Sequence, residues 1–474
     1  MTMKNSRRDF LKKSGLAGLG MAGFGMMGSN KESNNIDVFK SDYRQRFNMR
    51  GYAAPALEVV RIGVMGLGNR GSGTVLRLAS IEGVEIKALC DVQPAKAEES
   101  AAAISDHHSP DLYTDGPDDW KKMCERDDID LIAIVTPWQR HTEQAVFAME
   151  HDKHVYVELP AAQTIEQCWQ LVETSERTRK HCIQVSRSSH RNDTAFVLKM
   201  AREGAFGDII HAEGHYIHDL LMSHILNKTM FYDMWRLNDN LNRQGNLYPP
   251  HGLVPVMQML DINSGDKMEY LVSVSSRDFM AADKINELAK EDNFFKEFAG
   301  KKYRGNMNTT IIKTHLGRTI MLQHDVTSPR PGARFSLISG TEGIYSVGPN
   351  RFANSHDGWV SDEELQSLIE EYTPKLTTRF RELVNESQRE RQSRGYAQVA
   401  PLDWRLIDCL RNGLPLEMDV YDAALSTSIV PLTEWSVSNR SNPVLVPDFT
   451  AGSWKTNPRI MDVDLTHGGN TRIL

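Results

Sequence analysis

The chain divides into two fold classes in series, α/β in its first half and α+β in its second. Three observations predict this. Short, nearly continuous apolar runs alternate with helical patterns from about residue 55 to 187, the rhythm of a doubly wound parallel sheet. A cluster of glycines closes the first apolar run. Beyond residue 188 the extended runs alternate apolar and polar positions, as strands of a mostly antiparallel sheet do.

The elements follow in order. Ser6-Arg7-Arg8-Asp9-Phe10-Leu11-Lys12-Lys13 leads into an uncharged, glycine-rich stretch from Ser14 to Asn30. Twin arginines before Phe-Leu-Lys and a mildly apolar segment resemble a bacterial twin-arginine export signal. The segment is too short and too glycine-rich for a stable membrane span. Residues 1–35 are therefore expected to be leader and linker, and the protein to be exported to the periplasm. No cysteine precedes Cys90, so a lipoprotein anchor is not expected.

Residues 61–65 form an apolar strand that runs into Gly66-x-Gly68-x-x-Gly71. The first glycine permits a tight turn, and the second lets backbone approach a pyrophosphate. The third lets the helix sit close, with its N-terminal amides toward the phosphates. A second strand, Val84 to Cys90, ends on Asp91, placed to accept from both hydroxyls of an adenosine ribose. That carboxylate repels a 2′-phosphate, so the expected cofactor is NAD rather than NADP.

Helix Pro94–Ile104, a helix around Asp118–Arg126 and strand Ile129–Thr136 come next. They are followed by helix His141–Asp152, strand His154–Glu158, helix Thr164–Lys180 and strand Cys182–Ser186. Ile165, Cys168, Leu171 and Val172 show the helical apolar period. This alternation gives an N-terminal Rossmann domain over residues 55–187. Residues 188–474 make the second domain, opening with helix Thr194–Glu203 and strand Asp208–Ile217. An irregular stretch from Asp219 to Gly252 is rich in ring and guanidinium side chains, which favours a functional loop. The runs Tyr270–Ser276, Asn308–His315, Thr319–Val326 and Ala333–Ile338 supply the sheet. A charged helix around Asp362–Ser393 and helices Leu402–Asn412 and Val420–Val437 close the chain.

Composition narrows the function. Of 474 residues, 40 % are hydrophobic and 25 % charged, as in an ordinary soluble protein. A net charge of −7 argues against a nucleic-acid partner. The five cysteines (Cys90, Cys124, Cys168, Cys182 and Cys409) have no metal-like spacing and read as buried thiols, so no metal is expected. A small-molecule carbohydrate or glycoside is the expected partner, and a homo-oligomer stays open.

Chemistry-bearing residues cluster at strand ends. Thr136-Pro137-Trp138-Gln139-Arg140-His141 follows a strand's carboxyl end, where open α/β sheets bind ligands. Trp138 can stack near the cofactor, and His141 can cap the next helix. Glu158-Leu159-Pro160 ends the neighbouring strand at the same edge. Gly245-Asn-Leu-Tyr-Pro-Pro-His-Gly252 sets Tyr248 and His251 in a turn stiffened by Pro249 and Pro250, a rigid support for titratable groups.

These residues resemble a known family. The Rossmann half and the Glu-x-Pro turn look like the Gfo/Idh/MocA oxidoreductases. The chain from about Arg61 to Trp454 is more similar to glycoside hydrolase family 109, NAD-dependent α-N-acetylgalactosaminidases. His211-Ala-Glu-Gly-His-Tyr-Ile-His-Asp219, Trp235-Arg236, Gly245 to Gly252 and Gln323-His-Asp-Val-Thr-Ser-Pro-Arg-Pro331 carry that resemblance. It implies catalytic NAD: hydride leaves carbon 3 of the sugar, carbon 2 loses a proton, the anomeric group is expelled, water adds and the hydride returns. It implies His251 as catalytic histidine, and Tyr216, Arg236 and Tyr248, flanked by Pro249 and Pro250, as substrate contacts. Asn69, Arg70, Asp91, Trp138, Gln139, Arg140, His141, Glu158 and Leu159 match its NAD contacts.

The sequence also departs from those families. The lysine of the wider superfamily's Glu-Lys-Pro is Leu159, so its alcohol-dehydrogenase role does not transfer. The asparagine expected on NAD is Arg187, one tyrosine is His190, another is Gly332, and Tyr-Pro-Thr-His is Tyr-Pro-Pro-His. His190 is expected as the carbon 2 base, because imidazole with a pKa near ~6.5 serves more readily than phenol. Two alternatives stand beside the glycosidase: an exported oxidoreductase or epimerase acting on a sugar or cyclitol, and a non-catalytic sugar-binding relative.

Overall fold

The computed structural model describes residues 37–354, 358–390 and 399–474. Six strands build the first sheet: β1 (Val60–Met65), β2 (Val84–Cys90), β3 (Asp111–Tyr113), β4 (Leu131–Ile134), β5 (His154–Val157) and β6 (Cys182–Gln184). Their order is β3-β2-β1-β4-β5-β6, and every pair is parallel. Helices cover both faces, so β4 and β5 are buried at every position, which is why they read as unbroken apolar runs. The winding reverses between β1 and β4, and the crevice at their carboxyl ends is where such sheets bind ligands. Gly66, Asp91, Thr136 and Glu158 follow the carboxyl ends of β1, β2, β4 and β5 along that edge. The expected Rossmann architecture is present.

Eight strands build the second sheet: β7 (Ile209–Ile217), β8 (Met268–Ser275), β9 (Asn308–Thr314), β10 (Thr319–Asp325), β11 (Ala333–Gly340), β12 (Gly343–Ser346), β13 (Arg351–Asn354) and β14 (Val444–Leu445). The order is β13-β12-β11-β7-β10-β9-β8-β14. Only β7 and β10 pair in parallel, so the sheet is mostly antiparallel as expected. Helix Val420–Ser438 packs on helix Ile165–Thr178, β6 and β8, which joins the two sheets. Being covered on several sides, it carries apolar and small residues around its whole circumference. Its Ser426 and Thr427 satisfy the buried Gln184 amide at 2.9 and 2.6 Å.

Differences from expectation have local causes. β3 is a short edge strand with mostly exposed residues, so it lacks an apolar signature. The charged helix expected around Asp362–Ser393 is two helices, Asp362–Glu371 and Lys375–Glu390, parted at Pro374, whose ring cannot continue a helix. Residues 391–393 lie outside the described part, as does the twin-arginine segment. The stretch Asp219–Gly252 is not wholly irregular, since it holds the helix Trp235–Asn242. The double-proline turn is in fact a helix start: Pro249 caps and Pro250 opens the helix Pro250–Met259, a position where proline loses nothing. All five cysteines are free and buried. Among the described residues no helix is long and apolar enough to cross a membrane.

One contact sets the second half in place. A Cβ on Gly214 of β7 would lie 2.3 Å from the Gly252 carbonyl oxygen, and a Cβ on Gly252 would lie 2.3 Å from the His215 nitrogen. Both obstacles are backbone, so a methyl at either site forces strand and helix apart. Overpacking of this kind costs about 1–3 kcal/mol. Gly252→Ala is therefore expected to lower the unfolding free energy by that amount, read as a lower urea midpoint with an unchanged slope of the transition. An unchanged midpoint would remove the contact from the account.

Candidate active site

A cavity of about 1020 Å³ runs from the glycine loop to the second sheet. Its first end is shaped by the glycines. Gly66 has φ +84°, and a Cβ there would sit 2.7 Å from the backbone of Val135 and Thr136. A Cβ on Gly71 would fall 1.7 Å from the Gly66 oxygen, so both are required by the fold. Gly68 differs. Nothing lies within 4 Å of where its Cβ would be, and it lines the cavity, so its bare backbone serves whatever fills that space. Asn69 and Arg70 are exposed beside it on the cavity wall. Asp91 accepts from the Leu67 nitrogen at 2.6 Å and the Gln93 nitrogen at 2.8 Å, which clamps the loop while the carboxylate still borders the cavity.

Among the buried polar atoms of the cavity wall that lack a partner is a carboxylate oxygen of Glu158. Glu158 Oε1 makes no hydrogen bond; Arg187 Nη1 is 3.5 Å away, and Glu158 Oε2 accepts from the Leu159 nitrogen at 3.3 Å. An open glycine cradle at a helix N-terminus, a carboxylate at the end of β2 and an unsatisfied acceptor fit a dinucleotide laid across the crevice. Leu159 is buried on this wall and gives it an apolar surface.

Aromatic rings make the far wall. Trp138 stacks on Tyr248 with centroids 5.2 Å apart, and Trp235 lies 4.7 Å away. The Arg236 guanidinium is 5.0 Å from the rings of Trp138, Phe231 and Trp235 and 5.5 Å from Tyr248, and its Nε has no hydrogen bond. Tyr216, on β7, meets Tyr248 edge-on at 4.6 Å. Its hydroxyl has no hydrogen-bond partner among the described residues, and it lines the cavity.

His251 lies in the first turn of helix Pro250–Met259, half-buried behind these rings. It stacks on Tyr216 at 5.1 Å and meets Tyr248 at 5.0 Å, and its Nδ1 is 3.3 Å from Ser188 Oγ. Burial, and after it the charges of Arg334, Arg70, Arg187 and Arg236, hold its pKa well below that of an ordinary histidine. A neutral imidazole can take a proton. His324, also buried, stacks behind Tyr216 at 5.8 Å; burial, then Arg304 and Arg236, lower its pKa in the same direction.

Several expected contacts are placed otherwise. His190 is buried away from the cavity, with Nε2 2.7 Å from Glu417 Oε2, and Glu417 also accepts from Arg405 at 2.8 Å. It ties to Glu417 in the interior and is not brought to the cavity wall. Arg187 does not line the cavity; it donates to Tyr156 at 2.9 Å and stands behind Glu158. Gln139 turns away to donate to Asp239 at 3.1 Å. His141 borders the cavity, but its nitrogens face the carbonyls of Pro160 and Thr136, both at 2.8 Å, so it pins two turns together. Arg140 lines the cavity while pairing with Glu143 at 3.2 Å. Pro249 and Pro250 are off the wall and build the helix start beneath His251.

Sequence reasoning missed Arg334, Trp235, Phe231, His218 and His224, all of which line the cavity. Trp235 was within reach, being the first half of the Trp-Arg pair. Arg334 gave no signal, because one arginine at the start of a strand is unremarkable in sequence.

Comparison with known proteins agrees with this geometry. Residues 60–186 match the oxidoreductase family with an NAD-binding Rossmann fold, and residues 190–456 match the glycosyl hydrolase 109 C-terminal domain. A Bacteroides fragilis protein named alpha-N-acetylgalactosaminidase is 43 % identical over 85 % of this chain and 95 % of its own length. A glycosyl hydrolase family 109 protein of Shewanella pealeana is 38 % identical over 96 % of this chain and 98 % of its own. A solved levoglucosan dehydrogenase, in complex with NADH and L-sorbose, shares the fold at TM-score 0.59 and 18 % identity, covering 83 % of this chain and all of its own. The chain is thus a glycosyl hydrolase family 109 member, an enzyme whose N-terminal half is an NAD-binding oxidoreductase domain.

Proposed function

We propose that the protein is an exported glycosidase that opens a glycosidic bond through a closed redox cycle with tightly held NAD. The observation that carries this is the packing of His251 against Tyr216 and Tyr248, two rings that line a cavity starting at the glycine loop, where burial and nearby guanidinium groups hold its pKa low. When bound, NAD supplies a hydride acceptor for carbon 3 and gives the hydride back at the end. His251 takes the proton of the carbon 3 hydroxyl and later returns it. Tyr216, whose hydroxyl borders the cavity, gives its proton to the leaving oxygen as it takes the one from carbon 2, which the neighbouring ketone acidifies. The bond from carbon 1 to the leaving oxygen then breaks and the aglycone departs as its alcohol. Water adds at carbon 1, and carbon 2 recovers its proton. No pair of catalytic carboxylates is required, as in other dinucleotide-dependent glycosidases. Leu159 supports this division of labour, since an apolar residue leaves hydroxyl deprotonation to His251.

An α-N-acetylgalactosaminide is the substrate that the relatives suggest. The leader supports export, because the twin-arginine route carries folded proteins and so can carry a bound dinucleotide. A closed cycle suits the periplasm, as it needs no partner to reoxidise NADH.

Five outcomes test the reading. Purified protein given aryl α- and β-glycosides without added NAD should hydrolyse one anomer while absorbance at the NADH band stays flat. Net NADH with release of an oxidised sugar would instead support the oxidoreductase alternative. His251→Asn should cut kcat about 10²–10⁴-fold, the usual worth of a positioned acid–base group. Because the His251 pKa is lowered, wild-type kcat/KM should hold as pH falls through 6.5 and decline only well below it. Tyr216→Phe should abolish deuterium exchange at carbon 2; exchange at the parent rate would end its role. Replacing Arg7 and Arg8 by lysines should trap the protein in the cytoplasm, and unchanged secretion would discard the export proposal.

A further inference from the structure

Two cations on the aromatic side of the cavity make no ion pair among the described residues. Arg334, at the start of β11, spends Nη1 on the carbonyls of Ile217 and Ala333, each at 3.0 Å. Its guanidinium lies 4.3 Å from the centre of the Tyr216 ring, and it lines the cavity. Arg236 is ringed by aromatics on the opposite wall, with an unbonded Nε. Among the described residues, neither guanidinium has a carboxylate within ion-pair distance.

The acidic groups that line the cavity are occupied or elsewhere. Asp91 and Glu99 lie at the glycine-loop end, where Lys96 also stands, and Glu158 faces Arg187 at 3.5 Å. General basicity does not explain the excess either, since the chain carries a net charge of −7. A half-buried cation without a partner is costly, and burial pulls the Arg334 pKa downward. A fold keeps such a group when the ligand brings the anion. Room for that ligand lies beside it. A Cβ on Gly332 would meet only the Ile217 oxygen, at an ordinary 3.6 Å, and Gly332 is exposed, so packing does not demand glycine there. A guanidinium matches the paired oxygens of a carboxylate or a sulfate, which a neutral hydroxyl cannot offer.

We propose that the glycoside carries an anionic substituent, a carboxylate or a sulfate ester, and that Arg334 pairs with it and sets the specificity. This rests on the glycosidase reading above and narrows its substrate class.

The test compares nitrophenyl N-acetylgalactosaminide, galactoside and glucoside with the 6-sulfated form of each and with the uronides matching the last two, both anomers, on the enzyme holding its dinucleotide. The anionic substrates should lead in kcat/KM by at least ~10-fold, and the better arm, uronide or sulfate, identifies the group. Arg334→Met should reduce the anionic-to-neutral ratio by about 10–100-fold, with partial recovery in Arg334→Lys. Calorimetric binding of free galacturonate, galactose 6-sulfate and galactose should show the same order and the same collapse. Equal or better use of neutral sugars, with a ratio that Arg334→Met leaves unmoved, overturns the inference. So does loss of dinucleotide from the purified variant, since the arginine would then serve the cofactor. If no glycoside of either kind is hydrolysed, the glycosidase reading fails, and calorimetry still decides the role of Arg334.

Discussion

Gly214 on β7 and Gly252 in the first turn of helix Pro250–Met259 let a helix backbone rest directly against a strand backbone. Everything at the sugar end depends on that approach. With side chains at those positions the helix would ride further from the sheet, and His251 would lose its stacking distance to Tyr216. Pro249 and Pro250 set the helix start, so the imbalance between a loose loop and a fixed catalytic group is resolved by making the loop a helix terminus. Precision here comes from backbone contact, which has no rotamers to relax.

The electrostatics follow from the same packing. An imidazole enclosed by aromatic rings and faced by several guanidinium groups is disfavoured in its charged form, for burial first and repulsion second. That arrangement gives a base that stays available at neutral pH. In the proposed cycle the proton chemistry falls to the second sheet, and Leu159 leaves the dinucleotide domain with the hydride alone.

The sequence was most legible where geometry is set by neighbours in the chain. The glycine loop, Asp91 and the buried strands were readable because tight turns and full burial leave few residue choices. Long helices with capped ends were readable for similar reasons; Thr164 caps helix Ile165–Thr178 through a capping box with Gln167. What escaped depends on distant partners. His190 has the chemistry of a base, yet Glu417, 227 positions away, holds it in the interior. Arg187 likewise belongs to Glu158 and Tyr156 rather than to the cavity. Arg334 is the converse: nothing local marks it, and only the pairing of β11 with β7 brings it over Tyr216. Side-chain type announces what a group can do; the contacts decide whether it gets to do it.

The joint between the two sheets then bears directly on chemistry. Helix Val420–Ser438 contacts β6, β8 and helix Ile165–Thr178, so the crevice at β1 and β4 and the rings on β7 belong to one packed interior. Trp138, from the Rossmann edge, stacks on Tyr248 from the second half, and Tyr248 touches His251. Two ring contacts among three residues therefore span the distance from the Trp138 turn to His251. A close-packed interior moves such rings little, because gaps of even a methyl group forfeit contact energy. The proposed cycle, which removes a hydride and returns it to the same carbon, needs that immobility. A sugar free to turn over between the two transfers would be released as an epimer instead of a hydrolysis product.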